Sequence, residues 1–382
     1  MGEGTLEVAI AAGGTAGHIN PALALAEELR ERGHHVRFYG QTAKLEGRLV
    51  PEAGFELVPI VVSGFDRSRP WTLATSLVQM RRAERQMRRR FADEGAPDVA
   101  VGFGAYVEMA LLACCRSAGV PYVLHEQNSV PGLANKALAS HAAAVCISVP
   151  AAHVAFEHAG LAPESVVLTG NPVRRSVVSA TRASGRAVFG VPEDQEMLVV
   201  SGGSLGARHV NEAISRLKGE LLAREELVIV HSTGADDFDR TVAALALSPV
   251  EQLRWRVAPY VSNMGDALAA ADLVVSRAGA SSIAEIAATA APSVLVPYPH
   301  ATADHQTTNA RYLVDAGAAL LVSDDQLDEP AFPEALLGLV DDPARRARMR
   351  SAAAGLGQDR AASALADRVE SVARADETVG MG

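Results

Sequence analysis

The opening pattern of this chain, an apolar run that leads through a glycine-rich turn into a helix, occurs a second time near the middle. LEVAIAAGGTAGHINPALALAEEL starts at residue 6, and MLVVSGGSLGARHVNEAI starts at residue 197. A strand that enters a helix through glycines begins the repeating unit of a parallel sheet, because parallel neighbours need a crossover between them. Two such beginnings within 382 residues predict two domains built alike.

Strand and helix patterns alternate in both halves of the chain. Further strand-like runs are DVAVGFG (98–104), YVLHEQN (122–128), AVCIS (144–148), LVIVHSTG (227–234), LRWRVAPYV (253–261), DLVVSRAG (272–279) and SVLVPYP (293–299). Alternation of this kind indicates parallel sheets covered by helices. We therefore expect an α/β fold with Rossmann-like domains at 1–178 and 190–355 that face each other across a cleft. A helix at 356–375 is expected to pack back on the first domain.

The net charge of −10 is carried by the second half of the chain. Residues 1–185 hold 18 basic and 17 acidic side chains, whereas residues 186–382 hold 17 and 28. An acidic half argues against a nucleic-acid partner, which needs a broad basic face. The start of the chain lacks a signal-peptide pattern, and no apolar run reaches the ~18 residues of a spanning helix. The three cysteines lack metal-ligand spacing, so we expect a cytoplasmic protein without a metal.

Four glycine-rich turns join a strand to a helix, at 13–18, 102–107, 202–207 and 276–282. Glycine allows close approach to a ligand, and the free N–H groups of a helix start attract phosphate. In parallel sheets ligands bind at the carboxyl ends of strands, where these turns fall. None of the four is G-x-G-x-x-G or G-x-x-x-x-G-K-[ST], which disfavours a dinucleotide oxidoreductase and a P-loop NTPase.

Six strings in the chain resemble the MurG family of inverting GT-B glycosyltransferases, within glycosyltransferase family 28. They are GGTAGHINPALALA (13–26), HEQNSVPGLANK (125–136), GNPVR (170–174), GGSLGARHVNEA (202–213), RAGASSIAEIAA (277–288) and VPYPHATADHQTTNA (296–310). Their order and spacing match the family, and HEQN followed by PGL is the most specific of them. Ala16, Ala105 and Ala278 depart from the family pattern, each as one small residue for another.

The resemblance implies a GT-B fold and a defined reaction. Such an enzyme moves N-acetylglucosamine (GlcNAc) from UDP-GlcNAc to the 4-hydroxyl of a lipid-linked muramyl peptide, a step of peptidoglycan synthesis. UDP-GlcNAc is then a substrate, no cofactor is needed, and the helix starts neutralise the diphosphate without a metal. The single D-x-D string, Asp237 to Asp239, has the polar context of a solvated helix start.

The first half would hold the acceptor and the base. The resemblance implies that His18 accepts the hydroxyl proton or lies beside the acceptor hydroxyl, and a histidine near its ordinary pKa of about 6.5 suits this role. Tyr106, Glu126 and Asn128 fall on the acceptor side, with Glu126 as a second candidate base. A histidine that only caps the helix is the alternative for His18.

The second half would hold most of the donor. Ser204 and the helix start at Ala280, Ser281 and Ser282 would meet the diphosphate, Glu285 the ribose hydroxyls, and Gln306 and Asn309 the sugar. The resemblance adds Val261 beside uracil and Arg174 beside the nucleotide. It also adds Asn128 and the first-turn residues Thr15, Ala16 and Gly17 to the donor-binding set.

Residues 71–90, WTLATSLVQMRRAERQMRRR, combine apolar and basic side chains. An amphipathic basic segment can dock on anionic lipid, which fits the lipid anchor of the implied acceptor. We expect Trp71, Leu77, Arg82, Arg85 and Arg89 to contact the inner leaflet, on the cytoplasmic face of the cell membrane. A solvated basic helix with a packed apolar face is the alternative.

Three other functions fit part of the sequence. They are a GT-B transferase acting on another glycolipid, a UDP-GlcNAc 2-epimerase and a non-catalytic nucleotide-sugar-binding protein. HEQN with PGL disfavours the first, and the basic segment disfavours the second. His18, Glu285 and Gln306 together disfavour the third.

Overall fold

The computed structural model describes residues 4–62, 72–158, 161–203, 206–356 and 358–379, with the backbone alone at 72–74 and 376–379. The chain divides into two compact units, one from Met1–Arg174 with Arg360–Gly382 and the other from Arg175–Asp359. The division therefore falls at 174 rather than 178, and residues 356–359 belong to the second unit. The expected cleft between the two domains stays a prediction.

The first unit contains a seven-stranded parallel sheet in the order β3-β2-β1-β4-β5-β6-β7. Its strands are β1 Glu7–Ala11, β2 His35–Gly40, β3 Glu56–Pro59, β4 Val99–Gly102, β5 Tyr122–Glu126, β6 Ala144–Ile147 and β7 Val166–Leu168. Every residue of β4, β5 and β6 is buried, as expected for parallel strands covered on both faces.

Helices cover the two faces of this sheet. They are α1 Ala16–Glu31, α2 Glu46–Glu52, α3 Thr72–Glu94, α4 Ala105–Ala118, α5 Leu133–Leu138 and α6 Ala151–Glu157, with 3₁₀ turns at Ala139–His141 and Pro163–Ser165. One apolar core lies under α3 and α4, and a second lies under α1. Helix α1 starts at Ala16, earlier than the apolar pattern from Pro21 indicated, so His18 belongs to its first turn.

The second unit contains a six-stranded parallel sheet in the order β10-β9-β8-β11-β12-β13. Its strands are β8 Glu196–Ser201, β9 Leu227–Ser232, β10 Trp255–Ala258, β11 Leu273–Ser276, β12 Ser293–Leu295 and β13 Ala319–Leu321. With the first sheet it confirms the predicted α/β class of two Rossmann-like, parallel-sheet domains.

The helices of the second unit are shorter on the whole. They are α7 Arg175–Val178, α8 Arg182–Phe189, α9 Arg208–Arg216, α10 Lys218–Leu222, α11 Phe238–Leu245, α12 Pro249–Arg254, α13 Met264–Ala270, α14 Ala280–Ala288, α15 His305–Val314, α16 Ala331–Val340 and α17 Pro343–Ala354. The 3₁₀ turns are Ala235–Asp237, Thr302–Asp304, Asp325–Asp328 and Gln358–Arg360. Helix α7, which the sequence analysis assigned to the first domain, belongs to this unit.

The last helix, α18 (Ala361–Val379), returns to the first unit and packs on α1. Its Leu365 and Val369 are fully buried in the same core as Leu29 of α1. Arg32, next to the end of α1, forms ion pairs with Asp367 at 2.6 Å and Glu370 at 3.1 Å. In the described ranges, no helix has the length and apolarity needed to cross a bilayer.

Candidate functional site

The strand order brings two glycine-rich turns together in the first unit. Strands β1 and β4 are neighbours in the sheet although β2 and β3 separate them in sequence, and Ala11 pairs with Gly102 at their carboxyl ends. This is the switch point at which sheets of this kind bind ligands. The turns 13–18 and 102–105 leave the sheet side by side there, so residues of both can contact one ligand.

His18, the last residue of the first turn, lies against the second turn at Gly104. Its Nδ1 is 3.0 Å from the carbonyl oxygen of Gly13 and 3.4 Å from Oγ1 of Thr15. Because a carbonyl oxygen only accepts, Nδ1 carries the hydrogen and Nε2 keeps its lone pair. A Cβ atom on Gly104 would lie 3.2 Å from Nε2, so the backbone of the second turn forms a wall beside that atom. The half-buried ring therefore presents a basic nitrogen at the switch point.

Two buried carboxyl groups, which the sequence analysis missed, each support one of these turns. Glu46 is fully buried and accepts the N–H groups of Gly14 and Gln41, both at 3.2 Å. Glu108 is also fully buried and accepts the N–H of Gly104 at 2.5 Å. Glu46 is the first residue of α2 and Glu108 is the fourth residue of α4. From sequence alone, a glutamate in the first turn of a helix is expected to be solvated and to stabilise the helix dipole, so the burial of these two was not predicted.

The HEQN segment at the end of β5 forms hydrogen bonds that hold neighbouring loops in place. Glu126 is 2% exposed, and its two oxygens accept the N–H groups of Asn128 and Gly132, each at 3.0 Å. Oε2 also accepts from the Asn135 amide at 2.8 Å, and the Asn128 amide lies 3.5 Å from Oε1. With both oxygens engaged inside the protein, Glu126 is geometrically less suited than His18 to accept a substrate proton.

His125 holds a second loop from the same segment. Its Nε2 lies 3.0 Å from the Gly170 carbonyl oxygen, and Nδ1 lies 3.1 Å from the Gln127 amide nitrogen. Burial lowers the pKa of His125 to about 4, so the ring is neutral and its Nε2–H donates to Gly170. The motif that was most specific in the sequence therefore fixes the loop that begins GNPVR.

The remaining candidates of the first unit differ in exposure. Tyr106 is 42% exposed in the first turn of α4, where its ring is accessible to a ligand. Arg174 pairs with Glu27 of α1 through Nε and Nη2, both at 2.7 Å from the same oxygen. Ala16 and Gly17 form the half-buried first turn of α1 with His18. The structure thus brings Thr15, Ala16, Gly17 and His18 into one turn. Arg174 is held in place by its ion pair with Glu27 of α1.

The second unit repeats this arrangement at its own switch point. Strands β8 and β11 are neighbours, and Ser201 pairs with Ser276 at their ends. Gly206 has a φ of +78°, and a Cβ there would lie 2.4 Å from the carbonyl oxygen of Thr233. Only glycine fits that position. Ser204, a predicted diphosphate contact, lies outside the described residues.

The start of α14 has the features expected of an anion site. Ala280, Ser281 and Ser282 form its first turn, and the N-cap is Gly279, which has no side chain that could accept their N–H groups. Oγ of Ser281 is buried and has no hydrogen-bond partner within the described part of the chain. A buried hydroxyl of this kind can donate to a bound group. Glu285 follows one turn later and is half-buried.

Gln306 links two loops of the second unit, one at Ala278 just before α14 and one at Tyr298 after β12. Its Oε1 accepts the N–H of Tyr298 at 2.9 Å and of Ala278 at 3.2 Å, which fixes the orientation of the amide. The Nε2 hydrogens therefore point away from both loops. Asn309 is 1% exposed, with Nδ2 3.5 Å from the Ala278 carbonyl oxygen, and Val261 is 6% exposed. Gln306 is thus better placed for a ligand than the more deeply buried Asn309.

A network of ion pairs, which was not predicted from the sequence, supports the turn at 276–282 that leads into α14. Arg277 pairs with Asp324 at 2.5 Å and donates to the carbonyl oxygens of Val296 and Pro297. His209 of α9 contacts Asp324 at 2.8 Å and Asp328 at 3.1 Å. Burial lowers the pKa of His209, but hydrogen bonds to these aspartates outweigh it and raise the pKa above its ordinary value.

The basic helix α3 has two distinct faces. Met80, Ala83, Met87 and Phe91 pack into the unit, whereas Leu77 and Val78 are 53% and 49% exposed. Arg82, Arg85 and Arg89 are exposed and form no ion pair with another described residue. Residues spaced by three or four share a helix face, so the apolar and basic side chains lie on one solvent face. Trp71 lies outside the described residues.

Two Rossmann-like units with paired glycine-rich turns at their switch points define the class of the GT-B glycosyltransferases. The models of the glycosyltransferase family 28 N-terminal and C-terminal domains match residues 8–147 and 197–368. A relative from Salinibacter ruber is 40% identical over 94% of this chain and 95% of its own length. One from Halothermothrix orenii is 34% identical over 97% and 100%.

The chain belongs to glycosyltransferase family 28. Both of these relatives are named UDP-N-acetylglucosamine--N-acetylmuramyl-(pentapeptide) pyrophosphoryl-undecaprenol N-acetylglucosamine transferase. A crystal structure of Acinetobacter baumannii MurG aligns with a TM-score of 0.73 at 27% identity, over 96% of this chain and 99% of that one. The predicted family and the GT-B class are confirmed, and the protein is a glycosyltransferase.

Proposed function

We propose that the protein transfers GlcNAc from UDP-GlcNAc to the 4-hydroxyl of MurNAc-(pentapeptide)-diphospho-polyprenol, a step of peptidoglycan synthesis that supports cell shape and division. The proposal rests on one observation: this chain is similar, along nearly its whole length and nearly the whole length of each relative, to relatives named for this transfer. Both halves that the reaction needs are present, since the family models match each half separately.

The second unit offers the features that a UDP-sugar requires. The start of α14, with Gly279 as its N-cap, and the buried hydroxyl of Ser281, which has no partner among the described residues, suit a diphosphate, because the N–H groups of a helix start and hydroxyls donate to its oxygens. Glu285 suits the ribose hydroxyls and Gln306 the hydroxyls of GlcNAc. Ser204, Val261 and Asn309 complete the proposed donor site, with Arg174 beside the nucleotide.

The chemistry follows from the free lone pair on Nε2 of His18. Nε2 accepts the proton of the acceptor hydroxyl while that oxygen forms a bond to the anomeric carbon of GlcNAc. The bond from that carbon to the diphosphate oxygen breaks on the opposite face, so the configuration inverts and UDP leaves with the electron pair. The N-terminal dipole of α14 stabilises the charge that develops on the diphosphate.

No metal enters this scheme. Among the described residues, no group of three or more His, Cys, Asp or Glu side chains is placed to hold one. Turnover that survives excess EDTA is the expected result. Activity that EDTA abolishes and magnesium or manganese restores would overturn the metal-free scheme while leaving the transfer itself intact.

The transfer is tested with purified protein, labelled UDP-GlcNAc and a synthetic lipid-linked muramyl peptide. We expect UDP release that depends on the acceptor, together with label in the lipid product. Epimerised sugar without an acceptor would favour a 2-epimerase. Binding of UDP-GlcNAc without any turnover would favour a non-catalytic nucleotide-sugar-binding protein, and transfer to unrelated glycolipids would favour another GT-B transferase.

The protein is further proposed to act at the cytoplasmic face of the cell membrane through α3. The acceptor sugar is only a diphosphate away from its lipid, so the enzyme must approach an anionic surface. Leu77, Val78 and the unpaired arginines share one solvent face, and each basic residue contributes about 1 kcal/mol near such a surface. Exposed charges are screened over about 8–10 Å at physiological ionic strength, so binding should weaken above about 0.5 M salt.

Sedimentation with anionic vesicles tests this surface. Changing Arg82, Arg85 and Arg89 to Glu should reduce vesicle binding and activity on the lipid acceptor, but spare a short-chain soluble acceptor. A matched control places the same three charge changes on exposed arginines of the second unit and just after it, at Arg345, Arg348 and Arg360. If both triple variants co-sediment like the wild type, α3 is an ordinary solvated helix.

A further inference from the structure

The carboxyl group of Glu108 is enclosed beneath the turn that faces His18. No part of Glu108 reaches solvent, and Oε2 accepts the N–H of Gly104 at 2.5 Å. Oε1 is buried as well and has no hydrogen-bond partner among the described residues. A Cβ on Gly102 would lie 2.6 Å from Oε2, so the carboxyl fills the space that this glycine leaves open.

This environment favours the neutral acid. A buried carboxylate with one unpaired oxygen loses its hydration without compensation, whereas a carboxylic acid carries no charge to solvate. The hydrogen then belongs on Oε1, because Oε2 already accepts from Gly104. Glu108 is therefore a buried, uncharged side chain that holds the backbone of Gly104 through a hydrogen bond.

The turn that Glu108 supports is a strained one. Gly104 has a φ of +94°, and Ala105 follows with a φ of +72°, a region that alanine rarely adopts. Such a conformation persists only where the surroundings hold it, and it is common at functional sites. Gly104 lies against Nε2 of His18, so a shift of this turn changes the space beside the proposed base.

We propose that Glu108 is a positioning residue for the glycosyl transfer: its neutral carboxyl group holds the Gly104–Ala105 turn in place beside Nε2 of His18. Glu108 touches neither substrate nor reacting atom, and it acts through the backbone N–H of Gly104. The inference rests on the proposed function, and its contact with the turn can also be tested without turnover.

Ionisation of Glu108 should disturb this support. Burial raises the pKa of Glu108 to about 8, the Gly104 hydrogen bond opposes the rise, and the charge of Glu126 on β5 adds to it. The elements packed against α4 also carry titratable groups: Tyr122 and His125 on β5, Tyr39 on β2, Lys136 on α5, and Glu84 and Arg88 on α3. Of these, Tyr122 is acted on by the charge of Glu108, whereas Glu84 and Arg88 act on Cys114 further along α4. Above this pKa a charge appears under the turn, and kcat is expected to fall.

The test compares kcat and KM from pH 6.5 to 9.5 in the wild type and Glu108→Gln. Glutamine keeps an oxygen for the Gly104 N–H and stays neutral, so the variant should keep activity at pH 7 and lose the decline near pH 8. KM for UDP-GlcNAc should be unchanged in both proteins. The control, Glu52→Gln at an exposed position of α2, should keep the wild-type profile.

NMR spectroscopy tests the contact between Glu108 and the Gly104–Ala105 turn without a measurement of turnover. In the wild type, the ¹³C resonance of one glutamate carboxyl should titrate near pH 8, and the His18 imidazole resonance should show a matching inflection. Both should vanish in Glu108→Gln. Glu108→Ala, which strands the Gly104 N–H, should lower kcat at least tenfold if it folds, and the glutamine variant decides the question if it does not.

The two proposals fail differently. A wild type that never transfers GlcNAc overturns the proposed function, and the His18 resonance then still reports whether Glu108 acts on the turn. An active Glu108→Gln that keeps the full decline near pH 8, or a His18 resonance insensitive to Glu108, overturns the positioning role alone. A change in thermal stability without either effect would make Glu108 a purely structural residue.

Discussion

Nδ1 of His18 lies 3.0 Å from the carbonyl oxygen of Gly13, within the same turn. The contact selects the tautomer in which Nε2 is unprotonated, so the turn that positions the ring also prepares it to accept a proton. In the proposed mechanism, the backbone carbonyl oxygen of Gly13 thus orients the base and sets its tautomer.

Replacing His18 by Ala should lower kcat by about 10²–10⁴-fold, the usual cost of removing a general base. UDP affinity should change little, because the proposed donor contacts lie mainly in the second unit. Steady-state kinetics and UDP titration calorimetry measure the two effects. His141→Ala is the control, since His141 is exposed and lies just before β6, at the amino edge of the sheet. Near-normal kcat in His18→Ala would leave His18 a capping residue.

Gly104→Ala should impair both stability and rate. The residue has a φ of +94°, and its Cβ would lie 3.2 Å from Nε2 of His18. We expect a loss of about 1–3 kcal/mol in unfolding free energy from the strained backbone, and a lower kcat from crowding of the base. Gly338→Ala on α16, where a Cβ meets no atom within 4 Å, should instead be neutral or stabilising. Urea unfolding and kinetics of both variants provide the comparison.

Glu126→Ala should destabilise the first unit by about 2 kcal/mol or more, because it strands the buried side-chain amide of Asn135 and removes the acceptor of the Asn128 and Gly132 N–H groups. Urea unfolding measures this loss. Glu126→Gln should be milder, since one amide oxygen still accepts. If instead either variant unfolds like the wild type while kcat falls a hundredfold, Glu126 rather than His18 is the base.

Glu285→Ala should weaken UDP binding by about 1–3 kcal/mol, the usual cost of leaving hydrogen-bonding groups of a ligand unpaired. Titration with UDP gives the affinity directly, and thermal unfolding without ligand shows whether the half-buried side chain also supports α14. Undiminished affinity would refute the ribose contact.

His209 should make the stability of the second unit depend on pH. Its pKa is raised in the folded protein, so its stabilising effect is fully present below the unfolded value of about 6.5 and is lost as pH rises through the folded value. His209→Gln should remove this component, so the stability difference from the wild type should shrink as pH rises above about 6.5. Urea midpoints below and above that pH test it, with His141→Gln as control. A difference that stays constant with pH would show that His209 does not titrate against its aspartates.

The sequence by itself determined the α/β architecture of each unit and predicted the places where ligands bind. Glycines with positive φ, such as Gly14 and Gly206, and continuous apolar runs such as VAVG of β4 are local signals, readable without knowledge of the neighbours. The family strings carried the site candidates, and Ser281 and Gln306 have geometry that suits a ligand. The sequence also indicated Glu126 as a second candidate base, but not its four hydrogen-bond donors, because these come from residues 128–135, whose path the sequence does not give.

Only the tertiary structure decided which turns meet. The order β2-β1-β4 pairs Ala11 with Gly102, and the order β9-β8-β11 pairs Ser201 with Ser276. Contacts such as His209 with Asp324, which are 115 residues apart, follow from that order. The same holds for Glu108, since its burial depends on strands β4 and β5 closing over its helix. Local periodicity encodes helix and strand, but burial and strand order depend on the packing of the whole sheet, which no short window of sequence contains.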